Sequence, residues 1–273
     1  MLQISELYIY PIKSLAGIAK ETVEITNTGL KHDRRWMLVD DNNVFLSQRT
    51  HPQMALLQPI EKEDCIVVTH KYDPLQNITI PFYNEGKNTI HVSIWDDVCD
   101  ALEVSTECSN WFSNMLQINC KLVYMPNETM RLVDKRYANN KEVTSFSDGY
   151  PILMIGQDSI NYLNTKLEEP IPMDRFRPNI VFTGGYAHVE DEMEVFSIND
   201  VNFLGVKPCA RCVITTINQQ NIEKGKEPLK TLATYRTKNN KIYFGQNVLQ
   251  QQNGNIAIGN KIEIIKSNKN KAL

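Results

Sequence analysis

The spacing of apolar and polar positions changes along this chain. From Met1 to about Val104, short runs rich in β-branched and aromatic residues, "ISELYIYPI", "WMLVD", "VFLSQ", "CIVVTH", "NITIPFY" and "TIHVSIW", are separated by "NTG", "DDNN" and "NEGKN". Runs of this length bounded by Gly, Asn and Asp predict strands joined by tight turns, and so a mostly antiparallel sheet or small barrel. From about Thr106 the period lengthens. "ECSNWFSNMLQINC" sets Trp111, Phe112, Met115 and Leu116 at helical spacing, and "QDSINYLNTKLEEP" repeats the pattern with Ile160, Leu163 and Leu167, which predicts two helices. Strand-like runs then return as "NIVFTGG", "EVFSI", "VNFLGV", "CVITTI", "KIYFG" and "IAIGNKIEII". The expectation is an α+β, β-rich fold: a barrel-like lobe over residues 1–104 packed on a second β-rich lobe with a few helices over 105–273. No repeat of fixed period and no flexible linker divides them, and the polar tail "KSNKNKAL" is expected to fray.

Composition narrows the partners. The 273 residues carry 29 basic and 32 acidic side chains, a net charge of -3, so no global field favours nucleic acid or an anionic membrane surface. An anionic ligand must be met by a local cluster. No apolar run reaches the length that crosses a bilayer and the start "MLQISELYIYPIKS" lacks the pattern of an export signal, so a cytoplasmic protein with no membrane span is expected. Its six cysteines are then expected to be reduced.

Two of those thiols, Cys209 and Cys212 in "PCARC", raise the question of chemistry. A reduced CxxC can be a redox dithiol, half a zinc site, or the source of one reactive or metal-binding thiolate. Cys65, Cys99, Cys108 and Cys120 supply no second close pair for zinc, and Cys212 runs into "VITTI" rather than into a helix. Two unreactive cysteines at a strand edge remain an equal alternative. Arg211 counts against it, because a cation beside Cys212 favours the thiolate and could also neutralise a bound anion.

Three further segments gather polar residues at strand ends. "YPIKSLAG" offers Lys13 and Ser14, and "KHDRRWMLVD" offers Arg34 and Arg35. Point charge, hydroxyl and bidentate fork together suit a phosphate, although either motif alone reads as solvated surface charge. "MDRFRPNIVFTGG" brings Arg175, Arg177 and Asn179. If that segment is already extended, Arg177 and Asn179 share a face and present a guanidinium and an amide to one ligand; a strand-entry salt bridge through Asp174 is the alternative. "SFSDGYPILMIG" holds a turn at Asp148 and Gly149, ordinary turn chemistry by itself. The five histidines show no paired metal-ligand spacing.

In order, "YPIKSLAG", "HDRRWMLVD", "FRPNIVFTGG", "PCARCVITTIN" and "KEPLKTLATYR" resemble the signature series of the MOSC superfamily, nearest to the mitochondrial amidoxime-reducing component and its bacterial relatives. The resemblance spans nearly the whole chain and implies a MOSC N-terminal β-barrel domain over 1–104 and a MOSC domain over 105–273. It implies a molybdenum cofactor, molybdenum on one molybdopterin, with Cys212 as the protein's metal ligand and Cys209 as a neighbour. By position, Lys13, Ser14, Arg34, Arg177, Asn179, Ala210 and Arg211 would wrap the pterin and its phosphate, Ala210 through its backbone alone. Gly149 and Tyr150 fall where relatives offer small hydroxyl residues, and Asn247 falls where a relative carries tyrosine. The cofactor is expected in a cleft between the lobes.

The implied activity is reduction of N-hydroxylated substrates such as amidoximes, hydroxylamines and N-hydroxylated bases. The chain has neither a clustered cysteine set for an iron–sulfur centre nor a glycine-rich dinucleotide fingerprint, so a separate ferredoxin, flavoprotein or haem protein is expected to deliver electrons. Two rivals stand beside this reading: a molybdenum-cofactor carrier or sulfur-transfer protein, and a metal-free scaffold whose CxxC is structural.

Overall fold

The computed structural model describes residues 1–82, 88–134, 136–137 and 141–268. Most of the "NEGKN" turn and the end of the polar tail lie outside them. Among the described residues strands dominate, accompanied by α1 (Thr106–Leu116), α2 (Gln157–Asn164) and α3 (Leu229–Ala233), so the fold is α+β and β-rich.

The largest sheet runs in the order Ile262–Ser267, Met193–Ile198, Val201–Ala210, Lys241–Gln250, Ile152–Gly156, Ile180–Thr183, Gln3–Ile9 and Ile18–Lys20. The pair Ile152–Gly156 and Ile180–Thr183 is parallel, and α2 supplies the crossover that parallel neighbours need. The sheet curls until its first strand meets the start of Gln3–Ile9, next to last in that order. Gln3 bridges Lys261, Ile4 N donates to Asn260 O at 2.9 Å, and Ile262 N donates to Leu2 O at 3.0 Å. Leu7, Phe182, Met193, Phe196, Phe203 and Val248 fill the interior. Gly205 lets two strands close up there, since a Cβ would stand 1.8 Å from Met193 O.

The other lobe stacks two small antiparallel sheets around α1. One is Trp36–Val39, Lys121–Tyr124, Asp97–Glu103 and Thr89–Ile94; the other is Leu57–Glu61, Cys65–His70 and Asp73–Pro81. Ser105 caps α1 by accepting from Cys108 N, and Gln117 ends it in the left-handed conformation. The buried stripe of α1, Cys108, Phe112 and Leu116, repeats every four residues and packs with Trp36, Ile66, Val68 and Ile80.

The lobes therefore interleave rather than divide at 104/105. Strands Gln3–Ile9 and Ile18–Lys20 belong to the large sheet, whereas α1 and Lys121–Tyr124 belong to the N-terminal core. Two expected strands are absent as such. "VFLSQ" makes only isolated bridges, Val39 with Phe45 and Val44 with Ser93, and "CVITTI" forms a 3-10 turn, Val213–Thr216. In that turn Thr215 and Thr216 donate their hydroxyls to the carbonyls of Cys212 and Val213, at 3.0 and 2.8 Å. Side-chain bonding to nearby carbonyls competes with strand formation.

One joint between the lobes is ionic. Glu61 takes Lys20 and His32 together, with His32 Nδ1 at 3.0 Å from Glu61 Oε1 and its ring stacked on Phe82. The His32 hydrogen bond, and then Lys20, outweigh desolvation and hold the Glu61 carboxyl at about 2 rather than 4.5. A depressed carboxylate contributes stability that is present above its unfolded value and lost as pH falls through its folded value. Glu61→Gln is therefore expected to lower Tm near neutrality, and the gap from wild type to shrink between pH 4.5 and about 2. A gap constant across that window in parallel thermal melts would contradict this.

Candidate functional site

Where the ends of the large sheet meet the loops of the N-terminal lobe, a cleft encloses about 810 Å³ of open space, counting its mouth. All eleven residues that the family resemblance assigns to the cofactor line it, whereas Arg35 and Arg175 do not; the eleven come from segments spread over more than 230 positions.

The first wall is the loop after strand Gln3–Ile9. Lys13 is 5% exposed; its ammonium donates to Phe146 O at 2.9 Å and pairs with Asp148 Oδ1 at 2.5 Å. Burial pushes the Lys13 pKa down against the pull of Asp148. At Asp148 desolvation opposes the charge, but Lys13, Arg49 and Arg34 prevail and hold the carboxyl well below the usual range. The Asp148 side chain is nevertheless 62% exposed, so it faces the cleft as a carboxylate. Its loop is clamped from behind by Arg131, which donates to Ser145 O and Asp148 O, both at 2.9 Å. Gly149 follows, and a Cβ there would meet nothing within 4 Å; this backbone borders open space.

Arg34 and Arg177 form the second wall. Both guanidinium groups pack on the ring of Tyr10, at 4.4 and 4.3 Å from its centroid. Arg34 Nη1 donates to Asp33 Oδ2 at 2.6 Å and to Asn179 Oδ1 at 3.0 Å. Burial pushes Arg177 down to about 10, with Tyr10 opposing and Arg34 adding to the shift. Ser14, Arg34 and Arg177 all sit at positive φ, 68°, 49° and 56°, a conformation uncommon outside glycine and concentrated at functional sites. Arg177 is thus not extended, and the expected shared face with Asn179 does not form. The Asn179 amide is also fully engaged. It donates to Tyr8 O at 3.2 Å and Asp33 Oδ1 at 3.1 Å, and accepts from Arg34 and from Leu153 N at 3.1 Å. Its reach is structural, with no donor or acceptor left for a ligand. Arg35 points elsewhere, to Asn127 Oδ1 at 2.9 Å.

The third wall carries the thiols. The chain leaves strand Val201–Ala210 with Ala210 exposed, and Cys212 follows on the surface before the 3-10 turn. Arg211 does not serve Cys212 as expected. Its Nη1 donates to Cys209 Sγ at 3.1 Å and its Nη2 to Phe176 O at 2.7 Å, because the intervening backbone turns the side chain inward. The cation beside Cys212 is Arg49, Nη1 at 3.9 Å from Sγ, stacked 4.2 Å from the Trp95 ring centroid. Burial raises the thiols of Cys108 and Cys120, and that of Cys99 to about 11; Cys212 alone among the six is exposed.

Tyr150 and Asn247 close the far side. The Tyr150 hydroxyl is buried without a partner among the described residues, and its ring lies 5.0 Å from Lys207 Nζ. Asn247 turns its amide nitrogen to Lys207 O at 3.2 Å. Ser47, Arg49 and Ser147, not expected at the site, also line the cleft, as does Asp148, expected only as a turn residue. "SQRT" repeats the basic and hydroxyl pattern of "IKS" after an apolar run, a signal hidden by reading that run as a strand.

The lining suits an anion: five cations, Lys13, Arg34, Arg49, Arg177 and Arg211, against one carboxylate, Asp148. Arg211 Nε is a buried donor with no partner among the described residues. Among those residues no three His, Cys, Asp or Glu side chains gather as a metal cage, so a metal held here would take Cys212 and complete its ligation from the bound group.

Residues 1–119 match the MOSC N-terminal beta barrel domain and residues 141–263 the MOSC domain. Mitochondrial amidoxime reducing component 2 of Rattus norvegicus is 30% identical over 246 residues, covering 85% of this chain and 72% of that protein. Mitochondrial amidoxime-reducing component 1 of Mus musculus is 28% identical over 283 residues, 96% of this chain and 82% of that protein. Molybdenum cofactor sulfurase of Arabidopsis thaliana is 28% identical over 264 residues, 89% of this chain and 32% of that protein.

Proposed function

Because this chain belongs to the MOSC-domain family, with an N-terminal β-barrel domain before its MOSC domain, we propose that it binds a molybdenum cofactor in the cleft and reduces N-hydroxylated compounds there. The observation that carries the reading is one exposed thiol, Cys212, in a cleft whose lining has five cations and one carboxylate. When bound, the cofactor supplies the two-electron centre at which the N–O bond breaks, two protons and two electrons from a separate donor protein yielding the N–H product and water.

The chain's own residues divide the remaining work. Cys212 offers the soft thiolate that such a metal accepts. Arg34 and Arg177, fixed against Tyr10, and Arg211, with its spare Nε donor, meet the anionic pterin and its phosphate. Lys13 holds Asp148 ionised. Asp148 therefore acts as an acceptor that orients an N–H or O–H of the substrate rather than as a proton donor.

The test is the molybdenum and pterin content of protein purified from cells that make the cofactor, with reduction of an amidoxime by an artificial electron donor. Near-stoichiometric molybdenum with turnover is expected. Retained cofactor without turnover would favour the carrier reading that the sulfurase relative suggests, and absence of both would favour the metal-free scaffold.

A further inference from the structure

Behind the cleft, two buried glutamines meet across the lobes. Gln48 is 0% and Gln219 5% exposed, and they exchange hydrogen bonds in both directions. Gln48 Nε2 donates to Gln219 Oε1 at 3.1 Å, and Gln219 Nε2 donates to Gln48 Oε1 at 3.0 Å. The second hydrogen of each amide is also used, by Ser14 O at 2.8 Å and by Ile217 O at 3.2 Å. A buried polar pair satisfied so fully fixes its register, because any slip strands a desolvated donor or acceptor.

The segments tied by this pair are those that build the site. Gln48 lies between Ser47 and Arg49, both in the cleft lining, and Ser14 lines it from the next loop. Gln219 closes the segment that starts at Cys212. That segment is tightened near its start by its own Thr215 Oγ1, which donates to Cys212 O at 3.0 Å, and is gripped there by Arg175, whose Nε donates to Thr215 O at 2.8 Å. Its far end is gripped from the N-terminal lobe, where Lys71 Nζ donates to Gln219 O at 2.8 Å and the Tyr72 hydroxyl to Gln220 O at 2.5 Å.

We infer that Gln48 and Gln219 are positioning residues: their reciprocal amide pair makes the N-terminal lobe the mount that sets Cys212 against Arg49 and Ser14. The effect on turnover rests on the reductase reading; the mounting of the segment does not.

Gln48→Met and Gln219→Met, singly and together, test it. Each single variant leaves the surviving amide's oxygen and one of its N–H groups unpartnered and is expected to melt roughly 2–10 °C lower. The double variant removes the mutual pair at similar volume but takes a donor from Ser14 O and from Ile217 O, and is expected to recover part of that loss. In the cofactor-free double variant, amide hydrogen exchange is expected to rise at least ~10-fold over residues 13–15 and 213–220, and to stay at the wild-type rate elsewhere. In loaded protein kcat is expected to fall ~10- to 100-fold with KM within about threefold, the scale of an ångström-sized misplacement at a reacting centre. Wild-type exchange over those segments in the double variant would show that the pair merely fills space, and raised exchange with unchanged kcat would overturn the positioning role. If wild-type protein holds no molybdenum and turns nothing over, the reductase reading falls while the exchange result still decides the mount.

Discussion

Cys212→Ala is expected to lower turnover of an N-hydroxylated substrate at least ~10³-fold, the scale on which loss of a group acting at a reacting centre is felt. Stability should hardly move. The Cys212 side chain is exposed and meets the Arg49 guanidinium only at 3.9 Å among the described residues, so its loss is expected to change stability by about ±0.5 kcal/mol, or ~1–2 °C in Tm. Cys212→Ser is expected to fail equally, because a hydroxyl keeps the shape but not the soft donor that the metal accepts. The cations are untouched in both variants, so pterin should be retained in part while molybdenum falls. Cys209→Ala supplies the internal control. Its thiol takes the Arg211 hydrogen bond, and its loss is expected to cost turnover ~10- to 100-fold, as for a group acting through another. Elemental analysis and steady-state rates on the three variants decide the matter. Full molybdenum and turnover in Cys212→Ala would end the assignment, and a collapse confined to Cys209→Ala would transfer it to the other thiol.

The elements with a strong period were legible in the sequence: α1 and α2 through their spacing, and most strands through their β-branched runs. The failures share a cause. "CVITTI" reads as strand by propensity, yet its threonine hydroxyls bond back to carbonyls three residues earlier, a local competition that propensity does not register. The swap of strand Gln3–Ile9 into the large sheet depends on pairing with Ile180–Thr183, a contact between distant segments that no local pattern encodes. At the site, residue types were readable and orientations were not. Arg211 sits next to Cys212 in the chain but serves Cys209, while Arg49, 163 positions away, stands beside Cys212. Asn179 looked like a ligand group because amides often are; only the partners around it show its four hydrogen-bonding positions already filled.

That difference between lining a cleft and serving a ligand yields the second large effect, a contrast between Asn179 and Arg177. Asn179 is 1% exposed, and Asn179→Leu would leave Tyr8 O, Leu153 N and part of the Asp33 and Arg34 pairing unsatisfied. The expected cost is ~3–5 kcal/mol, or roughly 6–15 °C in Tm, measured on cofactor-free protein. Arg177 has the opposite character. Burial and the neighbouring Arg34 already disfavour its charge, so Arg177→Met removes a like-charge repulsion that the empty fold must tolerate. Its cofactor-free Tm is expected to hold or rise, whereas pterin retention after gel filtration should fall at least ~10-fold, as for a lost charge-assisted contact. If Asn179 instead touched the ligand directly, Asn179→Leu would reproduce the Arg177→Met pattern, with retention lost and cofactor-free stability intact. Thermal melts and pterin content on the two variants separate a residue that builds the wall from one that faces across it.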